Sequence, residues 1–185
     1  MPVMTSPRLR MERLSLGDAG FMLDLLNQPT FLRFIGDRQV RTLAEAEAYL
    51  RDGPLASYAQ HGFGLYRLRL KATGAVIGIC GLVRRDGLAD VDLGFALLPE
   101  FCAQGLATEA AAATLAYARD QIGLQRVVAI VTAENAGSIR VLEKIGMRFE
   151  TTVRLHADSE ELRLFGLPLT TSTSAESPAA GSALR

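Results

Sequence analysis

The stretch best placed to do chemistry is LGFALLPEFCAQGLATEAAAATLAYA, residues 93–118, in which an apolar run enters a loop and the loop opens an alanine-rich helix at Gly105. The first turn of a helix carries N–H groups without intrahelical partners, aligned with the positive end of the helix dipole. Such a junction stabilises a phosphate without needing Lys or Arg. Gly105 lets a ligand approach the backbone, and Ala103 and Ala107 keep that approach narrow. Alone, a glycine ahead of an alanine-rich helix is ordinary punctuation. A second pair of polar side chains follows in TAENAGSIRVLEKIGM, residues 132–147, where Asn135 and Ser138 come just after the next apolar run. Asn135 is placed to cap a short helix and Gly146 to stop it.

The elements that must hold these residues follow from periodicity. Residues 8–14 alternate Leu9 and Met11 with charged neighbours, as a half-buried strand does. Phe21, Met22, Leu25 and Leu26 recur at helical spacing behind Ser15 and Asp18, and Pro29 is expected to end that run. Thr42 and Glu45 form a capping-box pattern opening a second helical stretch, which Gly53-Pro54 should bend or interrupt. From Gly62 three apolar-rich runs separated by Ala72-Thr73-Gly74 and Arg85-Asp86-Gly87 predict an antiparallel meander, strands two to four. After the alanine-rich helix, ended by Gly123, QRVVAIVTA reads as a buried fifth strand. MRFETTVRL begins a sixth, and residues 161–167 close a hairpin as the seventh.

Length suits one domain over residues 1–169, and the Ser-, Thr-, Ala- and Pro-rich tail at 170–185 lacks the apolar groups that would offset ordering, so disorder is expected there. Twenty Lys and Arg balance twenty Asp and Glu, and no basic run marks a nucleic-acid footprint. No signal-peptide pattern and no run of about 18 apolar residues occurs, which predicts a cytoplasmic protein without a membrane span. Two cysteines, Cys80 and Cys102, make neither a disulfide framework nor a metal-binding spacing, so no metal is expected. Almost half the residues are hydrophobic and the end strands need covering, which leaves room for a homodimer.

Taken together, the run Cys102-Ala103-Gln104-Gly105-Leu106-Ala107-Thr108, then Asn135-Ala136-Gly137-Ser138, then Lys144-Ile145-Gly146-Met147 resembles the signature of the GNAT superfamily of N-acetyltransferases. In that signature a strand, a [Q/R]-x-x-G-x-[G/A] loop, a helix, a strand, N-x-x-S and a helix ending in K-x-G-F follow in this order. The openings RLRMERLSLGDA and TLAEAEAYL are similar to the RimJ/RimL-type branch, which contains ribosomal-protein N-terminal acetyltransferases. The resemblance spans about residues 7–167. Cys102, Ala103 and Met147 depart from it, standing where Arg, Gln or an aromatic, a glycine, and an aromatic are usual.

The resemblance implies an α/β acyl-CoA N-acyltransferase fold: a mixed, mostly antiparallel twisted sheet of about seven strands flanked by helices, with central strands four and five splayed. It implies acetyl-CoA as acetyl donor, with the pyrophosphate held by backbone amides of Ala103, Gln104, Gly105, Leu106, Ala107 and Thr108. The pantetheine arm would pair with Phe95, Ala96, Leu97 and Leu98, with Asn135, Ser138 and Leu142 beside it. Direct transfer needs a neutral amine, a polarised carbonyl and a proton for the departing thiolate. Asp92 is the candidate base, with Asp90 and Glu100 as rivals, and Ser138 the candidate donor to the thiolate, although a serine there can equally serve the helix end. Glu109 is expected to support the helix N-terminus. Cys102 reads as a small packed side chain and His61 and His156 as surface residues, with a place near the acceptor the lesser alternative for His156; Phe31, Phe34, Leu32 and Ile35 read as core that could also border the acceptor mouth. The expected acceptor is a primary amine, of a protein or peptide N-terminus or of a small molecule such as a polyamine, antibiotic or amino acid. A CoA-binding sensor that has lost catalysis is the alternative, and the absence of both P-loop and dinucleotide fingerprints argues against a nucleotide-binding domain.

Overall fold

The computed structural model describes residues 1–170, so the tail expected to be disordered lies, beyond Thr170, outside the described residues. Eight strands form one sheet: β1 (Met4–Thr5), β2 (Leu9–Arg13), β3 (Leu65–Leu70), β4 (Val76–Val83), β5 (Asp92–Leu97), β6 (Arg126–Val131), β7 (Arg148–Val153) and β8 (Leu162–Pro168). Their spatial order is β1-β2-β3-β4-β5-β6-β8-β7, and every neighbouring pair is antiparallel except β5 and β6. The count exceeds the expected seven by β1, whose two residues pair as Met4↔Met11 and Thr5↔Arg10. Two residues are too few to show alternation.

Helices cover both faces. On one side α1 (Ala19–Leu26), α2 (Pro29–Phe34) and α3 (Leu43–Leu50) bury Met22, Leu25, Leu26, Phe31, Ala46 and Leu50 against Ile79, Leu14 and Leu98. The Thr42 capping box opens α3: its hydroxyl accepts from the Glu45 amide at 3.2 Å while the Glu45 carboxylate accepts from Thr42 N at 3.0 Å. Pro29 does end the first helix, but it also occupies the first turn of α2, where its missing N–H is no loss. Around Gly53-Pro54 the regular α-helix is interrupted, as expected, although the chain does not unwind. The chain stays helical through a wide π-type turn, Arg51–Leu55, into α4 (Ala56–His61), and such a turn tolerates the absent donor.

On the other face α5 (Leu106–Tyr117) lies on β4 and β5, and α6 (Ala136–Lys144) follows β6. Ala110 and Ala111 are fully buried, so the small side chains let α5 sit close to the sheet. Gly123, at φ 78°, ends the helical run after a second π-type turn, Ala118–Ile122. No helix among the described residues is long and apolar enough to cross a membrane.

The central strand β4 is buried on both faces and can sit flush with β5 partly because Gly78, opposite Leu97, has no side chain. A Cβ there would collide with the Ala96 carbonyl oxygen and approach Leu97 Cα to 2.9 Å. Gly78→Ala is therefore expected to destabilise the fold by roughly 1–3 kcal/mol, read as a lower urea midpoint at unchanged m-value.

Candidate active site in the cleft between parting strands

The two parallel strands β5 and β6 share one register pair, Asp92↔Val128, supported by the Val128 amide donating to Val91 O at 3.0 Å. Beyond it they separate, so the edge of Phe95, Ala96 and Leu97 facing β6 has no strand partner. This is the splay expected of strands four and five. Two connected cavities follow the gap. One, of about 510 Å³, runs along Phe95, Ala96 and Leu97 to the loop before α5 and the side of α6. The other, of about 210 Å³, reaches Arg38, Arg85, Asp92 and Thr132. Phe34, Ile35, Phe95, Asn135 and Ser138 border both, so they mark the junction.

At the far end of the larger cavity the loop is shaped for an anion. Gly105 caps α5 at φ 76° and Ala103 is left-handed at φ 58°, a conformation that costs an L-residue strain unless its surroundings hold it. The amides of Ala103, Gln104 and Gly105 make no hydrogen bond among the described residues, and those of Leu106, Ala107 and Thr108 are the unpaired first turn of a helix. The loop is braced from behind by Glu109. Its Oε1 accepts from Ser6 Oγ at 2.6 Å and Arg8 N at 2.7 Å, its Oε2 from Arg8 Nε at 2.7 Å, and Arg8 Nη1 donates to Gln104 O at 2.9 Å. Burial works to raise the Glu109 pKa, but the hydrogen bonds from Ser6 and Arg8 carry it below the ordinary value, so it stays ionised.

Ala103, Gly105, Ala107 and Thr108 border the larger cavity, whereas the side chains of Leu98 and Leu106 are buried in core. Only the backbone of those two could meet a ligand. The Gln104 side chain turns to the Glu100 carbonyl at 2.9 Å. Leu142 is core that touches the smaller cavity. Asn135 caps α6, its Oδ1 accepting from Ser138 N at 3.1 Å. Arg140 and Lys144 also border the larger cavity; the sequence reading passed over them, although cations four residues apart on a helix share a face.

Asp92 is not a solvent-facing strand residue: it is 1% exposed. Its Oδ2 accepts from Arg85 Nε at 2.9 Å, and its Oδ1 has no hydrogen-bond partner. Burial pushes its pKa from 3.8 up to about 6, against the pull of the Arg85 charge and the Ile130 amide. A carboxylate so placed ionises near neutrality yet stays basic enough to take a proton. The rival carboxylates lie outside both cavities. Asp90 pairs with Arg126 at 3.0 Å, and Glu100 is exposed on a 3₁₀ turn. Cys102 is exposed on the cavity wall and not packed, and partial burial followed by the Glu100 charge raises its pKa, the opposite of an activated thiol. His61 stacks on Phe63, His156 sits in an exposed hairpin, and neither reaches the cleft. Phe31 is core and borders the larger cavity as well.

Comparison with known proteins gives the family and the fold. The family described as "Acetyltransferase (GNAT) domain" matches residues 8–148. The chain is 32% identical over 96 residues to the protein YkkB of Bacillus subtilis (strain 168), covering 51% of this chain and little over half, 56%, of that protein. It is 23% identical over 155 residues to the N-acetyltransferase YoaA of the same organism, covering 83% of this chain and 86% of YoaA. Among solved structures, RimL, the ribosomal L7/L12 alpha-N-protein acetyltransferase in complex with coenzyme A, superposes with a TM-score of 0.78 at 14% identity over 91% of this chain and 98% of that one, a likeness of fold.

Because the Asp92 pKa is raised on folding, its contribution favours the folded state fully below its unfolded value of 3.8 and is lost as pH rises through about 6. At about 1.4 kcal/mol per pH unit the change is on the order of 3 kcal/mol. Relative to the wild type, Asp92→Asn should therefore gain stability between pH 4 and pH 7 in paired urea titrations. A difference that stays flat with pH would mean that Asp92 is not desolvated as described.

Proposed function

Since the chain belongs to the GNAT family of acetyltransferases, we propose that it transfers the acetyl group of acetyl-CoA directly to a primary amine, with the donor lying in the β5/β6 cleft. The observation that carries this reading is the order of features along one gap: unpaired amides at a helix N-terminus, an unpaired strand edge, and a buried carboxylate with one free oxygen. The residues fit the donor. Amides from Ala103 to Thr108 would hold its pyrophosphate, the edge of Phe95 to Leu97 would pair with its amide-bearing arm, and Arg140 and Lys144 supply cations for its outer phosphate. Bound there, acetyl-CoA supplies an activated acyl carbon.

Asp92 takes, directly or through one water, the proton that the amine nitrogen must lose as it bonds to the acyl carbon. Ser138, at the junction of the cavities, lies where its hydroxyl can donate to the sulfur that departs. Arg85 keeps Asp92 oriented, and Phe34 and Ile35 restrict water at the junction. No covalent intermediate on the protein is required. The acceptor is taken to be an α-amine of a protein or peptide N-terminus; the similarity of the opening segments to the RimJ/RimL-type branch and the fold likeness to RimL support this over a general small-molecule amine.

Calorimetric titration should show acetyl-CoA bound in preference to ATP and NAD, and Gly105→Glu, which puts a carboxylate at the anion loop, should weaken it at least tenfold while remaining folded. With an α-amine acceptor, which ionises near 8, log kcat/KM should rise with slope two below pH 6 and slope one from there to about 8. Asp92→Asn should remove the break near 6 and lower the rate by roughly 10²- to 10⁴-fold. An intact break in the variant would assign the proton to another group.

A further inference from the structure

The smaller cavity is lined by three charged groups, Arg38, Arg85 and Asp92, two cations against one anion. The arginines around it are occupied. Arg41 is held by Asp37 at 2.6 Å, Arg33 meets Glu134 at 3.5 Å, and Arg154 meets Glu161 at 3.8 Å. Arg38 has no carboxylate and no hydrogen-bond partner among the described residues. Arg85 gives Asp92 only its Nε, and neither Nη atom makes a hydrogen bond among them. Both arginines line this one cavity of about 210 Å³, and both guanidinium charges oppose the rise in pKa that burial causes at the half-buried Tyr49 hydroxyl.

We propose that the acceptor carries, within a few bonds of its amine, a carboxylate that binds the free Nη donors of Arg85 together with Arg38. This rests on the transferase reading and names the acceptor chemistry within it. The span follows from the site: Asp92 borders this cavity and is the base that the amine must reach, and its Oδ2 is 2.9 Å from Arg85 Nε. A group whose amine meets Asp92 can bring only a nearby anion to the remaining Arg85 donors, as an amino acid does with its α-carboxylate or a peptide does with an acidic first residue. Carboxylate and guanidinium pair with matched geometry. A polyamine is selected against, because its second cation would face two guanidiniums and find no second carboxylate.

The test is CoA-thiol release by the purified full chain with acetyl-CoA and a panel of acceptors: free aspartate and glutamate, their diamides in which both carboxyls are carboxamides, peptides beginning with Asp or Glu, their Asn and Gln counterparts, peptides beginning with Ser or Ala, and spermidine. Carboxylate-bearing acceptors should lead, and the free amino acids against the acidic peptides will tell which source of carboxylate is used. Arg38→Gln should raise KM for the preferred acceptor by roughly ten- to a hundredfold with kcat little changed, and leave KM for its carboxamide analogue unaltered. Unchanged KM for the carboxylate acceptor in a folded Arg38→Gln protein, or turnover of spermidine, the diamides or neutral peptides at least equal to that of the best carboxylate-bearing acceptor, overturns this inference while leaving the transferase intact. Acetyl-CoA binding without turnover of any amine would instead sink the transferase reading, and this inference with it.

Discussion

Two parallel strands that share one register pair and then diverge leave backbone N–H and C=O groups unpaired in the middle of a sheet, where each costs free energy unless some other partner satisfies it. Everything else in the structure is arranged around that gap between β5 and β6. Closing it would complete the sheet and remove the site; widening it would separate the anion loop from Asp92. The helices on both faces cover these strands, and the unpaired edge of β5 in the middle of the sheet borders a cavity.

The gap is held open by fastening its surroundings. At the closed end Arg126, the first residue of β6, donates to Asp90 just before β5 at 3.0 Å and to Glu150 on β7, with Nη1 at 2.8 Å from Glu150 Oε1. At the open end Arg8 and Ser6, preceding β2, reach Glu109 and Gln104 and fix the loop in which Ala103 adopts a left-handed backbone. Exposed ion pairs contribute little to stability singly. Here their use is positional, since each joins segments about a hundred, or several tens of, residues apart in the chain at the two limits of the cleft.

Much of this was legible in the sequence because the relevant signals are local. Gly105 before an alanine-rich run, Asn135 with Gly146, Thr42 with Glu45, and the glycine-bearing turns of the meander each specify their own geometry, and each element formed there. What was not legible depends on tertiary position. Pro29 punctuates, but whether it ends one helix or begins another is decided by packing of Phe31 beneath it. The burial of Asp92 follows from the neighbouring β6 and from Arg85, which sequence reading had assigned only to a turn. Arg38, exposed and seven residues from the nearest buried aromatic, Phe31, carries no periodic signal at all, and only the folded chain brings it to the cavity that Arg85 also lines.

The cap on α6 has a consequence for whatever occupies the cleft. An asparagine side chain offers one accepting oxygen and one donating nitrogen, and at Asn135 the oxygen is committed to the Ser138 amide. The cap thereby settles which way round the amide group is held, and its Nδ2 hydrogens make no hydrogen bond among the described residues. A carbonyl in the cleft can meet those hydrogens, since Asn135 borders both cavities. The end of one helix thus gives a chain lying in the gap a donor of fixed orientation against which to set its own register.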